Sequence, residues 1–550
     1  MALRFADPAP NAYGYPLLIR QLLQSALDAR SGREIVGSDG RRHGYEALAH
    51  RVGRLAAVLA AHGVDQGDVV AVMDWDSHRY LEAYFAVPMM GAMLQTVNVR
   101  LSRDQIAYTL KDTQPRAMIV HADFVEDLQA LRPAIEPDCV IITCHDGQPA
   151  SLDDAVGDYE QLLSAGAETF AFVDFDENAL ATTFHTTGTT GMPKAVTFSH
   201  RQLVLHTLAV GFAMGQQPDN QGLGRESVYM PITPMFHVHA WGLPYLATLL
   251  GLKQVYPGRY VPARLLALQR EEGVTYSHCV PTILQMLLDE AGPDAWLGPW
   301  TIIIGGSALP ATLLRAAAAR GIIAVAGYGM SETGPVLTLS RHENDDSRPG
   351  ETVRRWAGRP IPLVQIRLHD DNGEDVSGAA NEQGEIVVRA PWLTQAYPNS
   401  AAASAALWAG GWLHTQDVAS RETHGDIVIR DRLKDVIKTG GEWVSSAEIE
   451  DLALQDPDIA EAAVVGAPDP RWGERPVLFA VPRPGRTPRL QTLKDRMSPL
   501  VAAGHLSRWA APDRLILIDA LPRTSVGKID KKQLRLRLGD DVLDSGRGAS

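Results

Sequence analysis

Residues 184–200 read FHTTGTTGMPKAVTFSH. It follows Leu180–Phe184, an apolar run that predicts a buried strand. Four threonines, two glycines and one lysine then fall between positions 186 and 194. Glycine lets the backbone turn its N–H groups toward phosphate oxygens, while threonine hydroxyls and the lysine add donors and positive charge. The stretch therefore predicts a phosphate-binding loop rather than an ordinary surface turn.

This loop is not of the Walker type, G-x-x-x-x-G-K-[ST], in which a lysine directly follows the second glycine. Here Met192 and Pro193 separate Gly191 from Lys194, and Ala195 follows the lysine. The pattern indicates another way of holding a nucleotide.

Composition narrows the class of protein. The chain has 550 residues, and 51 basic against 65 acidic side chains give a formal net charge of −14. Such a surface argues against general binding to nucleic acid or membranes. Three cysteines are too few for a disulfide scaffold, so we expect a reducing, cytoplasmic location. We expect no signal peptide and no integral membrane segment, because no long apolar run is present.

Strand-like and helix-like patterns alternate in the first half. Val69–Met73 and Ala117–Val120 resemble buried strands, and Ser77–Phe85 and Arg103–Leu110 resemble helices. After about residue 350, shorter strands are separated by glycine turns, which indicates a β-rich section. We predict an α/β fold with a large N-terminal domain of helix-flanked sheets and a β-rich subdomain over residues 1–430. A smaller, mobile C-terminal α+β domain over residues 431–538 and a flexible tail over 539–550 complete the prediction.

The stretch 184–200 resembles the phosphate loop of the AMP-forming adenylating superfamily, which contains acyl-CoA synthetases, peptide-synthetase adenylation domains and beetle luciferases. Further motifs follow in family order from about residue 30 to residue 537, and the acid-side motifs are most similar to bacterial medium- and long-chain fatty acyl-CoA synthetases. The resemblance implies ATP and coenzyme A as substrates and Mg²⁺ as cofactor. Ala195 departs from the family, which often has glycine there.

Two downstream motifs extend the resemblance. In GYGMSETGP, at 327–335, it implies that Tyr328 lies against adenine, Ser331 touches the α-phosphate and Glu332 helps hold Mg²⁺, for which a carboxylate is a suitable ligand. In WLHTQD, at 412–417, it implies that Asp417 binds both ribose hydroxyls, although Gln416 stands where the family usually has glycine. The implied ATP-binding residues are Thr186, Thr187, Gly188, Thr189, Thr190, Gly191, Lys194, Tyr328, Gly329, Ser331, Asp417 and Arg432.

The acid side is implied by PMFHVHAWGLPY, at 234–245, and GGSALP, at 305–310. Taken alone, the first segment reads as the start of a buried aromatic helix, and its two histidines lack the third ligand of a zinc site. By resemblance, His237 lies near the substrate carboxylate and Trp241 gates the acyl tunnel. The implied acyl-pocket residues are His237, Trp241, Gly305, Gly306, Ser307 and Ala308.

The C-terminal motifs imply a moving domain. DRLKDVIKTGGEWV, at 431–444, resembles the family hinge, here Asp431, followed by the ribose-contacting Arg432. The loop used for thioester formation would contain Lys438, Gly440, Gly441, Glu442 and Trp443. PRTSVGKIDKK, at 522–532, implies that Lys528 is the lysine of the adenylation step. The implied catalytic residues are Lys528, His237 and Glu332.

The implied enzyme is an ATP-dependent acid–CoA ligase. It would activate a carboxylic acid as an acyl-adenylate with release of pyrophosphate, then transfer the acyl group to coenzyme A with release of AMP. We expect a medium-chain fatty acid, with a long-chain acid next. An aryl, phenylpropenoid or methylthio acid, a carrier-protein acceptor, a light-emitting oxygenase and a non-catalytic acyl- or nucleotide-binding sensor are the alternatives. A homodimer is common in similar synthetases.

Overall fold

The computed structural model describes residues 3–149, 152–165, 170–186, 192–217, 222–340, 355–378, 382–422, 424–440, 442–503, 506–523 and 529–545. The strands, in chain order, are β1 (Glu34–Val36), β2 (Arg42–Gly44), β3 (Val69–Met73), β4 (Met93–Thr96), β5 (Ala117–His121), β6 (Val140–Cys144), β7 (Ala155–Asp158), β8 (Leu180–His185), β9 (Ala195–Ser199), β10 (Val228–Tyr229), β11 (Lys253–Val255), β12 (Tyr276–Cys279), β13 (Trp300–Ile304), β14 (Ile322–Gly329), β15 (Val336–Leu339), β16 (Arg359–Pro360), β17 (Gln365–His369), β18 (Gln383–Arg389), β19 (Leu413–Arg421), β20 (Ile427–Arg432), β21 (Ile437–Thr439), β22 (Glu442–Val444), β23 (Ile459–Asp469), β24 (Gly473–Pro482) and β25 (Arg514–Leu517).

The helices alternate with these strands. Their bounds are Arg20–Ala29, Tyr45–Ala61, His78–Met89, Arg103–Thr113, Val125–Leu131, Tyr159–Ala165, His200–Gly215, Leu243–Leu249, Pro262–Glu271, Pro281–Ala291, Ala311–Ala318, Ala401–Leu407, Ser446–Ala453, Leu490–Ala502 and Lys531–Ser545.

Two large sheets form the N-terminal part. In the first, the order is β7-β6-β5-β3-β4-β8-β9, and every pair is parallel except β8 with β9. In the second, the order is β16-β15-β14-β13-β12-β10-β11-β1-β2, with a parallel centre and antiparallel edges. Strands such as β3 and β13 are buried along their whole length, as expected for parallel strands covered on both faces.

The helix His78–Met89 is buried on every side, which marks it as a central element rather than a surface one. Ser77 caps its N-terminus by accepting a hydrogen bond from the backbone N–H of Tyr80, 3.1 Å away. Its side chains belong to a hydrophobic core that also takes in residues of both large sheets. The two sheets are therefore held around one interior.

The smaller sheets confirm the predicted change of texture. Strands β17-β18-β19-β20 form an antiparallel sheet, which is the β-rich subdomain. The C-terminal part has the order β22-β21-β24-β23, with β25 parallel to β24 and two separate cores. The observed α/β architecture with a smaller C-terminal domain confirms the predicted fold class. Strand β20 runs through the predicted boundary at residues 430 and 431, and the last helix includes residues 539–545 of the predicted tail.

Candidate active site

The phosphate loop connects two antiparallel strands at the edge of the first sheet. His185 at the end of β8 pairs with Ala195 at the start of β9, and the N–H of Thr186 donates to the carbonyl of Lys194 at 2.9 Å. Ser199 and Gln202 form a reciprocal cap where β9 passes into the next helix. The two ends of this loop, Thr186 and Lys194, are therefore held together by a backbone hydrogen bond. Thr187, Gly188, Thr189, Thr190 and Gly191 lie outside the described residues.

Three residues predicted to bind ATP meet at one buried carboxylate. The hydroxyl of Tyr328 donates to Oδ2 of Asp417 at 2.9 Å, and Nε of Arg432 lies 2.9 Å from Oδ1. Asp417 is buried, and its charge raises the pKa of Arg432. Each carboxylate oxygen can accept more than one hydrogen bond, so Asp417 keeps capacity for a further donor such as a ribose hydroxyl.

Gln416 explains how this carboxylate is presented without the usual glycine. Its φ is +62°, in the left-handed region that glycine adopts without strain. The side-chain oxygen Oε1 of Glu385 accepts from both the backbone N–H and the side-chain amide of Gln416, at 2.9 and 3.1 Å. The carbonyl of Gln416 accepts from Leu433 N–H at 2.8 Å. These bonds hold Gln416 in its left-handed conformation.

Glu332 lies in a short 3₁₀ turn, Ser331–Thr333, and is buried. The hydroxyl of Tyr397 donates to its Oε1 at 2.6 Å, and the ammonium of Lys194 lies 4.8 Å from the centre of the Tyr397 ring. Burial raises the pKa of Glu332, while the Tyr397 hydrogen bond and the charges of Arg432 and Lys194 oppose that shift. Tyr397 thus joins two predicted site residues.

Sequence reasoning missed Tyr397. Its neighbours Ala396 and Pro398 carry no motif, and it is 65 residues from Glu332 in the chain. Gly329, by contrast, was predicted as a site residue. Packing requires glycine there, because a Cβ would lie 1.7 Å from the carbonyl oxygen of Pro335. Ser331 is partly exposed beside Glu332.

The acid-side residues meet where the second sheet faces the segment 234–245. Trp241 is buried, and a Cβ on Gly305 would lie 3.0 Å from its ring, so glycine is needed for this approach. Gly306, Ser307 and Ala308 follow as exposed residues. The Trp241 ring also packs against His278, at 5.1 Å between centroids. Sequence reasoning did not identify His278, which lies within the buried strand β12.

The segment after His237 is not the ordinary helix start that its residues suggest. Four consecutive non-glycine residues have positive φ: Val238 at 48°, His239 at 54°, Ala240 at 47° and Trp241 at 59°; Gly242 follows at 76°. A left-handed turn of L-residues costs roughly 1–2 kcal/mol per residue, so the surroundings must hold it. The turn fixes the direction in which Trp241 leaves the backbone.

Asp431, the predicted hinge residue, contacts the C-terminal part directly. Oδ2 of Asp431 accepts from the backbone N–H of Ser446 at 2.6 Å and also from its hydroxyl. Nζ of Lys531 donates to the same hydroxyl at 2.6 Å. Asp431 and Arg432 are neighbours in β20, so one contacts the start of the helix Ser446–Ala453 while the other contacts Asp417.

The predicted thioester loop is a hairpin of β21 and β22. Nζ of Lys438 lies 2.9 Å from both carboxylate oxygens of Asp371, in the turn between β17 and β18, and 5.0 Å from the centre of the Trp443 ring. Gly440 has φ of +60°, and a Cβ there would lie 2.8 Å from Trp509. Glu442 accepts from the hydroxyl of Ser507 at 2.6 Å. Gly441 and Lys528 lie outside the described residues.

No helix in the part of the chain that the structure describes is both long and apolar enough to cross a membrane. The cysteines Cys139, Cys144 and Cys279 are buried and unpaired with one another.

Comparison with known proteins matches almost the whole chain. The model of the AMP-binding enzyme family matches residues 23–398, and that of the AMP-binding enzyme C-terminal domain matches 448–528. A long-chain-fatty-acid–CoA ligase of Thermus thermophilus is 38% identical over 499 residues, covering 89% of each chain. A 3-methylmercaptopropionyl-CoA ligase of Ruegeria lacuscaerulensis is 34% identical over 94% of this chain and 97% of its own.

A medium-chain-fatty-acid–CoA ligase of Ectopseudomonas oleovorans is 32% identical over 96% of this chain and 97% of its own. Among solved structures, an anthranilate CoA ligase in complex with anthranoyl-AMP superposes with a TM-score of 0.81 at 22% identity, covering 95% of this chain and 98% of that one. At that identity the superposition shows the shared fold alone.

Proposed function

The chain belongs to the family of AMP-binding enzymes and is an AMP-forming acid–CoA ligase, and we propose that its acid is a medium-chain fatty acid. A carboxylate oxygen attacks the α-phosphorus of ATP, the bond to pyrophosphate breaks, and an acyl-adenylate forms. The thiolate of coenzyme A then attacks the acyl carbonyl and AMP leaves. The observation that supports this reaction best is the meeting of Tyr328 and Arg432 at Asp417 beside the buried Glu332.

On the nucleotide side, we propose that Asp417 binds the ribose hydroxyls and that Arg432 supports it. Tyr328 would lie against adenine, and Ser331 would contact the α-phosphate. The loop 186–194 would hold the β- and γ-phosphates, with Lys194 contributing charge. Catalysis is then mainly positioning and charge neutralisation, as in phosphoryl transfer in general.

The residues fit a magnesium ion at Glu332. Its carboxylate is buried and accepts a hydrogen bond from Tyr397, whose ring lies 4.8 Å from the ammonium of Lys194. Magnesium in nucleotide enzymes is usually held by one or two carboxylates together with substrate phosphates, so a single carboxylate is enough as the protein's ligand. When bound, the ion neutralises charge on the phosphates. This chain's part is to orient Glu332 through Tyr397, whose hydrogen bond also opposes the rise in pKa that burial causes.

On the acid side, we propose that His237 lies near the substrate carboxylate and that Trp241 bounds an apolar tunnel. Gly305 supports this proposal because it lets the backbone of the second sheet approach the Trp241 ring. The ring packs against His278, which is joined to Tyr229 by a 2.9 Å hydrogen bond. The choice of a medium-chain acid is supported by the similarity to the medium-chain-fatty-acid–CoA ligase of Ectopseudomonas oleovorans. A long-chain acid and a short methylthio acid, like those named for the Thermus and Ruegeria relatives, are the next candidates.

Between the two steps, we propose that the C-terminal domain rotates about Asp431. Lys528 would serve adenylation, and the hairpin with Lys438, Gly440, Gly441, Glu442 and Trp443 would then replace it for thioester formation. Such a rotation is a hinge motion of the kind that separates half-reactions in many enzymes. The end of strand β20 supports this placement of the hinge, because Asp431 contacts Ser446 while its neighbour Arg432 contacts Asp417.

The protein's setting is also a proposal. The absence of cysteine pairing among the three buried thiols supports a reducing cytoplasm. A homodimer is proposed from the similar synthetases and is tested by light scattering at micromolar concentration, where a mass near 59.7 kDa would contradict it.

The test of the function is pyrophosphate release from Mg·ATP with a panel of acids: acetate, octanoate, palmitate, cinnamate and methylthio-propionate, each with and without coenzyme A. We expect the highest kcat/KM with octanoate and formation of AMP and octanoyl-CoA when coenzyme A is present. A maximum with methylthio-propionate or cinnamate would contradict the proposed acid class. Pyrophosphate release at the same rate with and without coenzyme A would indicate a carrier-protein acceptor. ATP binding without pyrophosphate release would indicate a sensor.

A further inference from the structure

The left-handed turn Val238–Gly242 must be held from outside, because its own residues favour the opposite hand. The turn directly follows His237 and contains Trp241, so whatever fixes its start also fixes these two side chains. The anchoring contacts lie at Met235 and Phe236, which are both buried.

Three side chains from consecutive elements of the first sheet bind this pair: Asp76 between β3 and the next helix, Tyr84 in that helix and Thr96 in β4. Oδ1 of Asp76 accepts from the backbone N–H of Met235 at 2.8 Å. The hydroxyl of Tyr84 donates to the carbonyl of the same residue. The hydroxyl of Thr96 donates to the carbonyl of Phe236 at 3.0 Å. Two main-chain carbonyls and one N–H ahead of the turn are therefore bound by this β3–helix–β4 unit.

Asp76 is the carboxyl member of this group. It is 3% exposed, and its Oδ2 accepts from the hydroxyl of Tyr260 at 2.6 Å. Its own carbonyl accepts from Gly258 N–H at 2.8 Å. The guanidinium of Arg100 lies 5.7 Å from the Tyr260 ring and 6.0 Å from the Phe236 ring. A buried carboxylate bound on both oxygens has a fixed direction, so Asp76 is a rigid anchor for Met235.

We propose that Asp76 is a positioning residue for the acid substrate: by binding Met235 N–H, it sets the start of the left-handed turn and hence the places of His237 and Trp241. This inference rests on the proposed roles of His237 and Trp241 in acid binding. Without the Asp76 carboxylate, the buried N–H of Met235 loses its acceptor, and the turn is released at the end nearest His237.

The experiment measures pyrophosphate release by the full-length enzyme without coenzyme A, with the acid that the panel identifies. We expect Asp76→Ala to raise the KM for the acid about ten- to hundredfold, as loss of a hydrogen bond to a buried charge would, while the KM for ATP changes less than about twofold. Asp76→Asn keeps an acceptor oxygen and is expected to restore the KM for the acid to within about threefold of wild type.

Asp74 supplies the matched control. It is also a buried carboxylate, two residues earlier, but it binds Ser77 and Arg79 instead of Met235. Asp74→Ala is expected to lower the melting temperature and leave the KM for the acid unchanged. An equal rise in that KM for both variants would reduce Asp76 to a general structural role and overturn the proposal.

Combination with His237→Ala separates positioning from stability. If Asp76 acts through His237 and the following turn, Asp76→Ala should have a smaller effect once His237 has been replaced. The factor by which it raises the KM for the acid should be at least three times smaller in the His237→Ala background than in wild type. Fully additive effects would overturn the inference. If circular dichroism shows that Asp76→Ala does not fold, Asp76→Leu, which refills the volume, is used instead. The same rise in the KM for the acid is expected.

The two proposals fail in different ways. If wild type releases no pyrophosphate with any acid, the proposed function fails and takes this inference with it. If wild type is active and His237→Ala weakens acid binding while Asp76→Ala leaves the KM for the acid unchanged, only the role of Asp76 is wrong.

Discussion

Asp431 and Ser446 are joined by two hydrogen bonds, which link the last strand of the large domain to the first turn of the helix Ser446–Ala453. The backbone N–H of Ser446 is one of the donors that a helix start leaves without an intrahelical partner. Asp431, the proposed hinge residue, is thus an anchor for that helix.

Asp431→Ala should therefore weaken this connection. We expect the free energy of unfolding to fall by about 1–3 kcal/mol, because a buried N–H loses its acceptor. Ser446→Ala removes only the hydroxyl and leaves the N–H bond in place, so it should cost less. Urea unfolding of the three proteins measures the difference, and a larger loss for Ser446→Ala than for Asp431→Ala would contradict this account.

The two half-reactions should separate by mutation. Lys528→Ala is expected to cripple adenylation and to spare thioester formation from supplied acyl-adenylate. Asp431→Pro should do the reverse, because proline restricts the backbone at the proposed hinge. Pyrophosphate release and thioester formation are assayed separately, with folding checked by circular dichroism. Equal loss of both steps in both folded variants would refute the two-conformation mechanism.

Gln416 offers a test of backbone strain at the nucleotide site. Gln416→Gly removes the left-handed penalty and also the side-chain bond to Glu385, so stability should change by less than about 1 kcal/mol and the KM for ATP by less than about threefold. Gln416→Val puts a β-branched residue at φ of +62° and should cost more than about 1–2 kcal/mol. Equal melting temperatures for the two variants would show that the positive φ carries no cost.

Tyr397→Phe isolates one hydrogen bond to Glu332. The ring beneath Lys194 remains, but the carboxylate loses a donor that favours its ionised form. We expect weaker binding of Mg·ATP, by about tenfold, and a higher Mg²⁺ requirement. Calorimetric titration with ATP across Mg²⁺ concentrations measures both. Unchanged affinity at limiting Mg²⁺ would mean that Tyr397 does not orient Glu332.

Asp76 makes stability depend on pH. Burial raises its pKa to about 7, while Tyr260, the Met235 N–H and Arg100 favour the charged form and Asp74 opposes it. The folded chain therefore holds this proton more tightly than the unfolded chain, and the stability it contributes is lost as pH rises from about 4 to about 7. Asp76→Asn cannot ionise. Its free energy of unfolding should therefore rise relative to that of wild type by about 1–4 kcal/mol as the pH increases from 5 to 8.

Urea unfolding at several pH values measures this change. A constant difference between the Asp76→Asn variant and wild type from pH 5 to pH 8 would show that Asp76 does not titrate in this range. Asp74→Asn, which alters a neighbouring carboxylate, serves as the control for a general loss of charge.

Residues inside continuous motifs could be predicted from the sequence. Tyr328, Asp417 and Arg432 each lie in a recognisable string, and the structure brings them to one carboxylate. Tyr397 and Asp76 could not be found this way, because each acts on a partner far along the chain and their neighbours carry no pattern. The left-handed turn Val238–Gly242 could not be predicted either, since the residue types themselves favour a right-handed helix.

The anchoring of the left-handed turn bears on the construction of chimeric ligases. The turn follows residue 237, whereas Asp76, Tyr84 and Thr96, which hold its start, all precede residue 97. A crossover anywhere between these positions pairs the anchors of one parent with the turn of the other. Exchange of acid preference between relatives should therefore succeed more often when both segments are inherited together.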